Sequence, residues 1–190
     1  MTPRLILASS SPRRRDLLDQ IGVTPAAVRS PDIDEVPRKG ELPRPYAERM
    51  ASEKALAVPR EEGEVVLAGD TVVALGRRIL PKAGDEAEVA RLLRLLSGRR
   101  HRVYSAISVI DTKENQRTRT AASQVRFKRL SDEEIGDVAA YVIDQANGDK
   151  WEVAIAKNPV GGAYLNAPML FSSVAVPTFP PVRFPANVPS

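Results

Sequence analysis

Apolar positions in the first 150 residues recur with two periods that alternate along the chain. Arg4 to Ala8 reads as a short buried strand, and Pro12 to Ile21 as a helix with Leu17, Leu18 and Ile21 on one face. Residues 44–57 predict a second helix. Glu64 to Leu75 is a long valine-rich run, and Gly76 marks a hairpin into Ile79 and Leu80. Asp85 to Leu96 predicts a strongly amphipathic helix ended by Gly98. Two alternating segments, 101–111 and 117–128, flank a polar Lys-Glu-Asn-Gln turn. Ser131 with Glu134 three residues later forms a capping box that opens a helix to about Val142. The pattern predicts a mixed α/β (α+β) domain with a largely antiparallel, long-stranded sheet flanked by helices, not a simple parallel sheet.

Charge nearly vanishes after residue 150. Residues 151–190 hold only Glu152, Lys157 and Arg183, together with seven of the 16 prolines, and read as a buried strand pair followed by a proline-rich extended segment. A chain of 190 residues, 43% apolar and 27% charged, has the composition of a globular protein with a sizeable core. It has no cysteine, which excludes disulfides, thiolate nucleophiles and cysteine-ligated metals, and its single histidine, His101, leaves no partner for a two-histidine metal site. No apolar run approaches the roughly 20 residues that span a bilayer, and the N-terminus does not read as a signal peptide, so a cytoplasmic protein without a membrane partner is expected. The net charge of +4 is interspersed and aromatic content is 5%, without aromatic–basic interleaving. Nucleic acid is therefore not the expected partner, and a phosphate-binding enzyme carries the same charge.

Four segments carry candidate chemistry. In Ser9-Ser10-Ser11-Pro12-Arg13-Arg14-Arg15, Ser11 suits an N-cap and Pro12 the first helical position. Three arginines in a first turn oppose the helix dipole by roughly 0.3–1 kcal/mol each, which a bound phosphate would reverse; a merely solvated basic helix start is the alternative. Asp70 lies inside the apolar run from Val65 to Leu75, directly after Gly69. A buried carboxylate there is either satisfied by backbone amides at a bulge or held as a general base or magnesium ligand. The loop Pro31-Asp32-Ile33-Asp34-Glu35 gathers oxygens that hard divalent cations prefer, although loops are commonly acidic. Lys54 falls on the apolar stripe of its helix with Ala47, Met50 and Ala51, and Lys82 follows the hairpin strand that returns towards Asp70; either could simply pair with an acid. His101, at the start of a strand, reads as structural.

Taken together, these segments resemble the Maf-like nucleoside triphosphate pyrophosphatase family. The landmarks are Ala8-Ser9-Ser10-Ser11-Pro12-Arg13-Arg14, Asp34-Glu35, Glu53-Lys54-Ala55 and Ala68-Gly69-Asp70-Thr71-Val72-Val73, then Ile79-Leu80-Pro81-Lys82 and Leu96-Ser97-Gly98-Arg99-Arg100-His101-Arg102-Val103. They agree in order and spacing from residue 4 to about residue 142. The resemblance implies an inosine-triphosphatase-like fold of two lobes around a cleft, a single domain over residues 1–190, and a homodimer. It implies hydrolysis of a nucleoside triphosphate to monophosphate and pyrophosphate, dependent on a divalent cation, Mg2+ or Mn2+. Asp70 would be the proton acceptor, Glu35 and Asp70 would meet the metal, and Ser9, Ser10, Arg13, Lys54, Thr71 and Lys82 would bind substrate. Arg13 and Thr71 look like the branch that acts on dTTP and UTP, modified or non-standard nucleotides included.

The pattern departs after residue 148. Ala156 stands about where the family carries a glutamine that helps choose the base, and Phe179 to Ser190 lacks an amphipathic terminal helix. A diverged tail with weakened base selection and a wrongly assigned tail are the two readings. The altered tail also keeps open a rival function, a catalytically weak nucleotide-binding or regulatory protein, for example in cell division. A nucleic-acid-binding module is the remaining rival, marked by steep salt dependence.

Overall fold

A computed structural model describes residues 3–147, with side chains described through residue 140. Its elements run β1 (Arg4–Ala8), α1 (Pro12–Gln20), β2 (Ala27–Arg29), α2 (Pro43–Ala57), β3 (Glu64–Leu75), β4 (Arg78–Leu80), α3 (Glu86–Leu96), β5 (Arg100–Ile110), β6 (Gln116–Arg126) and α4 (Asp132–Asn147). The described strands form one sheet in the order β2-β1-β3-β5-β6, with β4 also on β3. β1 is parallel to β2 and β3, whereas β3, β5 and β6 are mutually antiparallel. The sheet is therefore mixed and dominated by long antiparallel strands, as the alternation predicted.

Period-two burial along β3 explains the layering. Glu64, Val66, Ala68, Asp70, Val72 and Ala74 are all buried, and α2 covers this face. Ala47, Ala51 and Ala55 on α2 are small enough to let the helix lie close, while Tyr46 and Met50 fill the space against Val72 and Ala106. On the other face Val73 and Leu75 pack with Val89, Leu92, Leu93 and Leu96 of α3, and with Ile135 and Ala139 of α4. Each large aliphatic side chain buried this way stabilises the fold by about 1.5–3 kcal/mol.

The helix signals hold with instructive exceptions. Asp85 caps α3 by accepting from the Glu88 amide at 2.8 Å, and Ser131 and Glu134 exchange both bonds of the expected capping box. α4 runs on to Asn147, past the expected end at Val142. Ser11 occupies the N-cap of α1 but its hydroxyl makes no capping bond; the Ser9 hydroxyl instead accepts from the Ser11 amide at 3.1 Å. No residue of α1 is buried, and Leu17 and Ile21 stay 41% and 71% exposed among the described residues, so the expected apolar face is not a packed one there. No described helix is long and apolar enough to cross a membrane. The expectations for residues 151–190, the Ala156 position among them, lie outside the described residues.

Candidate functional site

One edge of β3 is paired in two pieces. β1 covers residues 64–68 and β4 covers 73–75, so Gly69, Asp70, Thr71 and Val72 have no strand beside them on that side among the described residues. Both flanking strands point their C-terminal ends at this notch: β1 ends at Ala8, opposite Ala68, and β4 at Leu80, opposite Val73. The chain leaving β1 is the Ser9–Ser11 turn, and the chain leaving β4 is Pro81-Lys82. Sheets of this kind bind ligands outside the carboxyl ends of their strands.

Asp70 is 5% exposed and points from the notch to the α2 face, where Lys54 meets it. The Lys54 ammonium donates to Asp70 Oδ1 at 2.8 Å and lies 2.9 Å from Glu35 Oε1. Lys82 donates to Glu35 Oε2 at 3.2 Å, so lysines and carboxylates alternate from the core to the surface. The register of β3 with β5 runs unbroken from Val66 to Ala74, so Asp70 is satisfied by an ammonium and not by a bulge. No hydrogen bond among the described residues engages its second oxygen, Oδ2.

Two residues of α2 fix the acidic loop. The Tyr46 hydroxyl donates to the Glu35 carbonyl at 2.6 Å, and Arg49 donates to the Val36 carbonyl at 3.2 Å while ion-paired to Glu41 and Glu53. Burial pushes the Tyr46 phenol up to about 12, and the charges of Asp70 and Glu35 act in the same direction, so it stays a donor. Burial raises the Glu35 carboxyl too, but Lys54 and Lys82 outweigh it and hold Glu35 below the usual carboxylate range.

The arginine cluster supplies the far side. Arg14 donates to the Ser9 hydroxyl at 2.9 Å, and a Cβ placed on Gly69 would stand 3.4 Å from its Nε and 3.1 Å from the Ala106 carbonyl. The close contact is the one to the neighbouring strand, where a Cβ would crowd the Ala106 carbonyl, while the guanidinium would only touch it. Burial lowers the Arg14 pKa, opposed by the fields of Asp70 and Glu35. Burial, followed by the charge of Arg14, also lowers that of Arg13.

Of the residues expected from sequence, Lys54, Asp70, Glu35 and Lys82 form one chain of contacts, while buried Ser9 accepts from Arg14, whose guanidinium lies in the fields of Asp70 and Glu35. Thr71 sits in the notch on the opposite face, its hydroxyl 3.4 Å from that of Ser105. Ser10 is exposed, and Arg13 is half-buried beside Arg14. Arg14, Tyr46 and Arg49 were not anticipated; only Arg14 had a signal, as one of three consecutive arginines. His101 is 4% exposed and packs edge-on against Phe127 at 4.8 Å, with its pKa lowered by burial, which fits a structural residue.

The donor chemistry suits a hard cation. Glu35 and Asp70, from a loop and a strand, both reach the point where the Lys54 ammonium sits. No set of three His, Cys, Asp or Glu gathers among the described residues, so a divalent ion here would take its remaining ligands from water and from a bound anion, as Mg2+ ordinarily does.

An open mixed sheet with cations around paired carboxylates at its strand ends defines an α/β protein built to handle a phosphorylated ligand. Residues 4–155 match the profile of the Maf-like protein family. A "dTTP/UTP pyrophosphatase" from Sphingopyxis alaskensis is 47% identical over 188 residues, covering 92% of this chain and 98% of the relative. That share exceeds what residues 1–150 alone can supply, so the alignment enters the tail. A protein of the same description from Novosphingobium aromaticivorans is 57% identical over 150 residues, covering 78% of this chain and 71% of the relative. Among solved structures, a HAM1 protein from Coxiella burnetii aligns with a TM-score of 0.46 at 16% identity, covering 68% of this chain and 75% of that one. The chain belongs to the Maf-like family.

Proposed function

We propose that this protein is a hydrolase of phosphoric anhydrides that converts a nucleoside triphosphate, dTTP or UTP, into the monophosphate and pyrophosphate. The observation that carries the reading is the buried Lys54 ammonium between Asp70 and Glu35, in a notch faced by Arg14 and Lys82. The names of the curated relatives support the activity and the pyrimidine substrates.

Phosphoryl transfer needs little covalent help from a protein; it needs a positioned water, an in-line leaving group and neutralised charge. Asp70 Oδ2, the oxygen Lys54 leaves unengaged, orients the water and takes its proton as the water oxygen bonds to the α-phosphorus. The bond from that phosphorus to the bridging oxygen breaks, and pyrophosphate leaves with the electron pair. Lys82, Arg13 and Arg14 face the developing negative charge, while Ser9 fixes Arg14 and Ser10 and Thr71 offer hydroxyls to the substrate. Glu35 and Asp70 would hold a Mg2+ or Mn2+ ion. When bound, that ion acidifies water and neutralises phosphate oxygens. A single domain over residues 1–190, assembly as a homodimer and a cytoplasmic location rest on the family resemblance.

The test is a nucleotide panel with Mg2+ or Mn2+ in 18O-labelled water, products separated by ion exchange and weighed by mass spectrometry. UMP or dTMP carrying the label, with unlabelled pyrophosphate, is the expected result. Diphosphate plus phosphate, or label in pyrophosphate, contradicts attack at the α-phosphorus.

A further inference from the structure

A second concentration of positive charge lies away from the notch. The end of α3 and the end of β6 border an open cavity of about 950 Å³, lined by Arg94, Arg99, Arg126, Lys128 and Arg129. Arg94 is ion-paired with Asp132 and Lys128 with Glu134, whereas Arg99, Arg126 and Arg129 have no ion pair among the described residues. The sequence after Asn147 does not redress the balance, since Asp149 and Glu152 are outnumbered by Lys150, Lys157 and Arg183.

The fold itself does not ask for this charge. One cation in the last turn serves the α3 dipole, and Arg94 is there; the effect fades beyond that turn and gives no reason for arginines from β6. Arg100 and Arg126 are direct Cα partners across β5 and β6, and like charges in that position destabilise a sheet. An arrangement that costs stability when empty gains it back when an anion binds.

We propose that this cavity is a second anion site, which takes a compact oligophosphate of two or three linked phosphates. It is separate from the notch: Arg100 stands six residues along β5 from Ala106, the partner of Asp70, which is about 20 Å at ~3.4 Å per residue. Three of the rim amides are already spent, Gly98 on the Lys128 carbonyl, Arg99 on Leu96 and Phe127 on Arg99. Recognition falls chiefly to the guanidinium forks of the lining arginines, whose geometry matches phosphate oxygens in pairs. The volume is that of a small-ligand pocket, not of a track for a strand. Phe127, the aromatic residue at the wall, is 6% exposed with its ring against His101, so no ring is offered for a base to stack on.

The test is a titration of the 15N-labelled full chain with sodium tripolyphosphate, followed by amide shifts, with sodium chloride at equal ionic strength as control. Saturable shifts are expected at Gly98, Arg99, Phe127 and Lys128, separate from those at Ser9 and Thr71. Arg126→Ala/Arg129→Ala should weaken the first set at least tenfold and leave the second as in the wild type. Both arginines are exposed, and a melting curve checks the fold; Arg99→Gln provides the same comparison should the double variant unfold. Shifts confined to the notch, reproduced by chloride, or indifferent to these substitutions overturn the proposal. So does a short single-stranded oligonucleotide that fills the cavity where tripolyphosphate does not.

Discussion

Lys54 shows how much one misplaced charge in a pattern can mean. Its ammonium is buried with Asp70, and a charge on the apolar stripe of α2 is costly to bury without such a partner. Replacing it with methionine removes the countercharge of a buried carboxylate, so Lys54→Met should lower stability by about 3–5 kcal/mol in denaturant titration. Lys82, whose side chain is 66% exposed, binds the same loop but from the solvent, and Lys82→Met should cost less than about 1 kcal/mol. Equal costs would contradict the buried-pair account. Tyr46 acts more quietly, through the carbonyl of Glu35. Tyr46→Phe keeps the ring and loses a bond with a net value of about 1 kcal/mol. It should raise the Mg2+ concentration at half-maximal rate several-fold, because Glu35 is then less well fixed; an unchanged metal dependence would leave Tyr46 a packing residue only. Sequence marks Asp70 and Lys54 because each breaks an apolar period. It does not mark Tyr46, whose ring satisfies the period, nor does it separate Arg14 from Arg13 when both follow Pro12.

At the scale of elements, the parallel edge of the sheet depends on a charge. Arg29 on β2 reaches across β1 to Glu64 on β3, with bonds of 2.6 and 2.9 Å, and Glu64 also accepts from the Glu61 amide at 2.9 Å. These bonds, Arg29 first, pull the Glu64 carboxyl from its ordinary 4.5 down to about 2. A depressed carboxyl stabilises the fold fully above its unfolded value, and that contribution fades as pH falls from about 4.5 towards 2. In melting curves over that range, Glu64→Gln should lose less Tm per pH unit than the wild type; parallel losses would show that Glu64 is not linked to folding. The capping box of α4, the amphipathic helix α3 and the strand periods were legible because they follow local rules. The exposed face of α1 was not. Its Leu17 and Ile21 satisfy the helical period, but no local pattern states whether a partner lies beside them.

At the scale of the molecule, the site comes from strand order. Asp70 is reachable because β1 ends at Ala8, opposite Ala68, and β4 ends at Leu80, opposite Val73, and nothing in the sequence says which strands share that edge. The order of landmarks announced the parts, and the mixed sheet explains why parts far apart in sequence, from Ser9 to Lys82, converge on one notch. The central claim is that this notch is the reaction centre and that Asp70 is its base. The most direct test is the turnover number for UTP of Asp70→Asn beside the wild type, at saturating Mg2+ and with both shown folded by circular dichroism. A positioned base accounts for about 10²–10⁴-fold of rate, so a fall of that size with the fold retained is the predicted result. A folded variant turning over within about threefold of the wild type would contradict it.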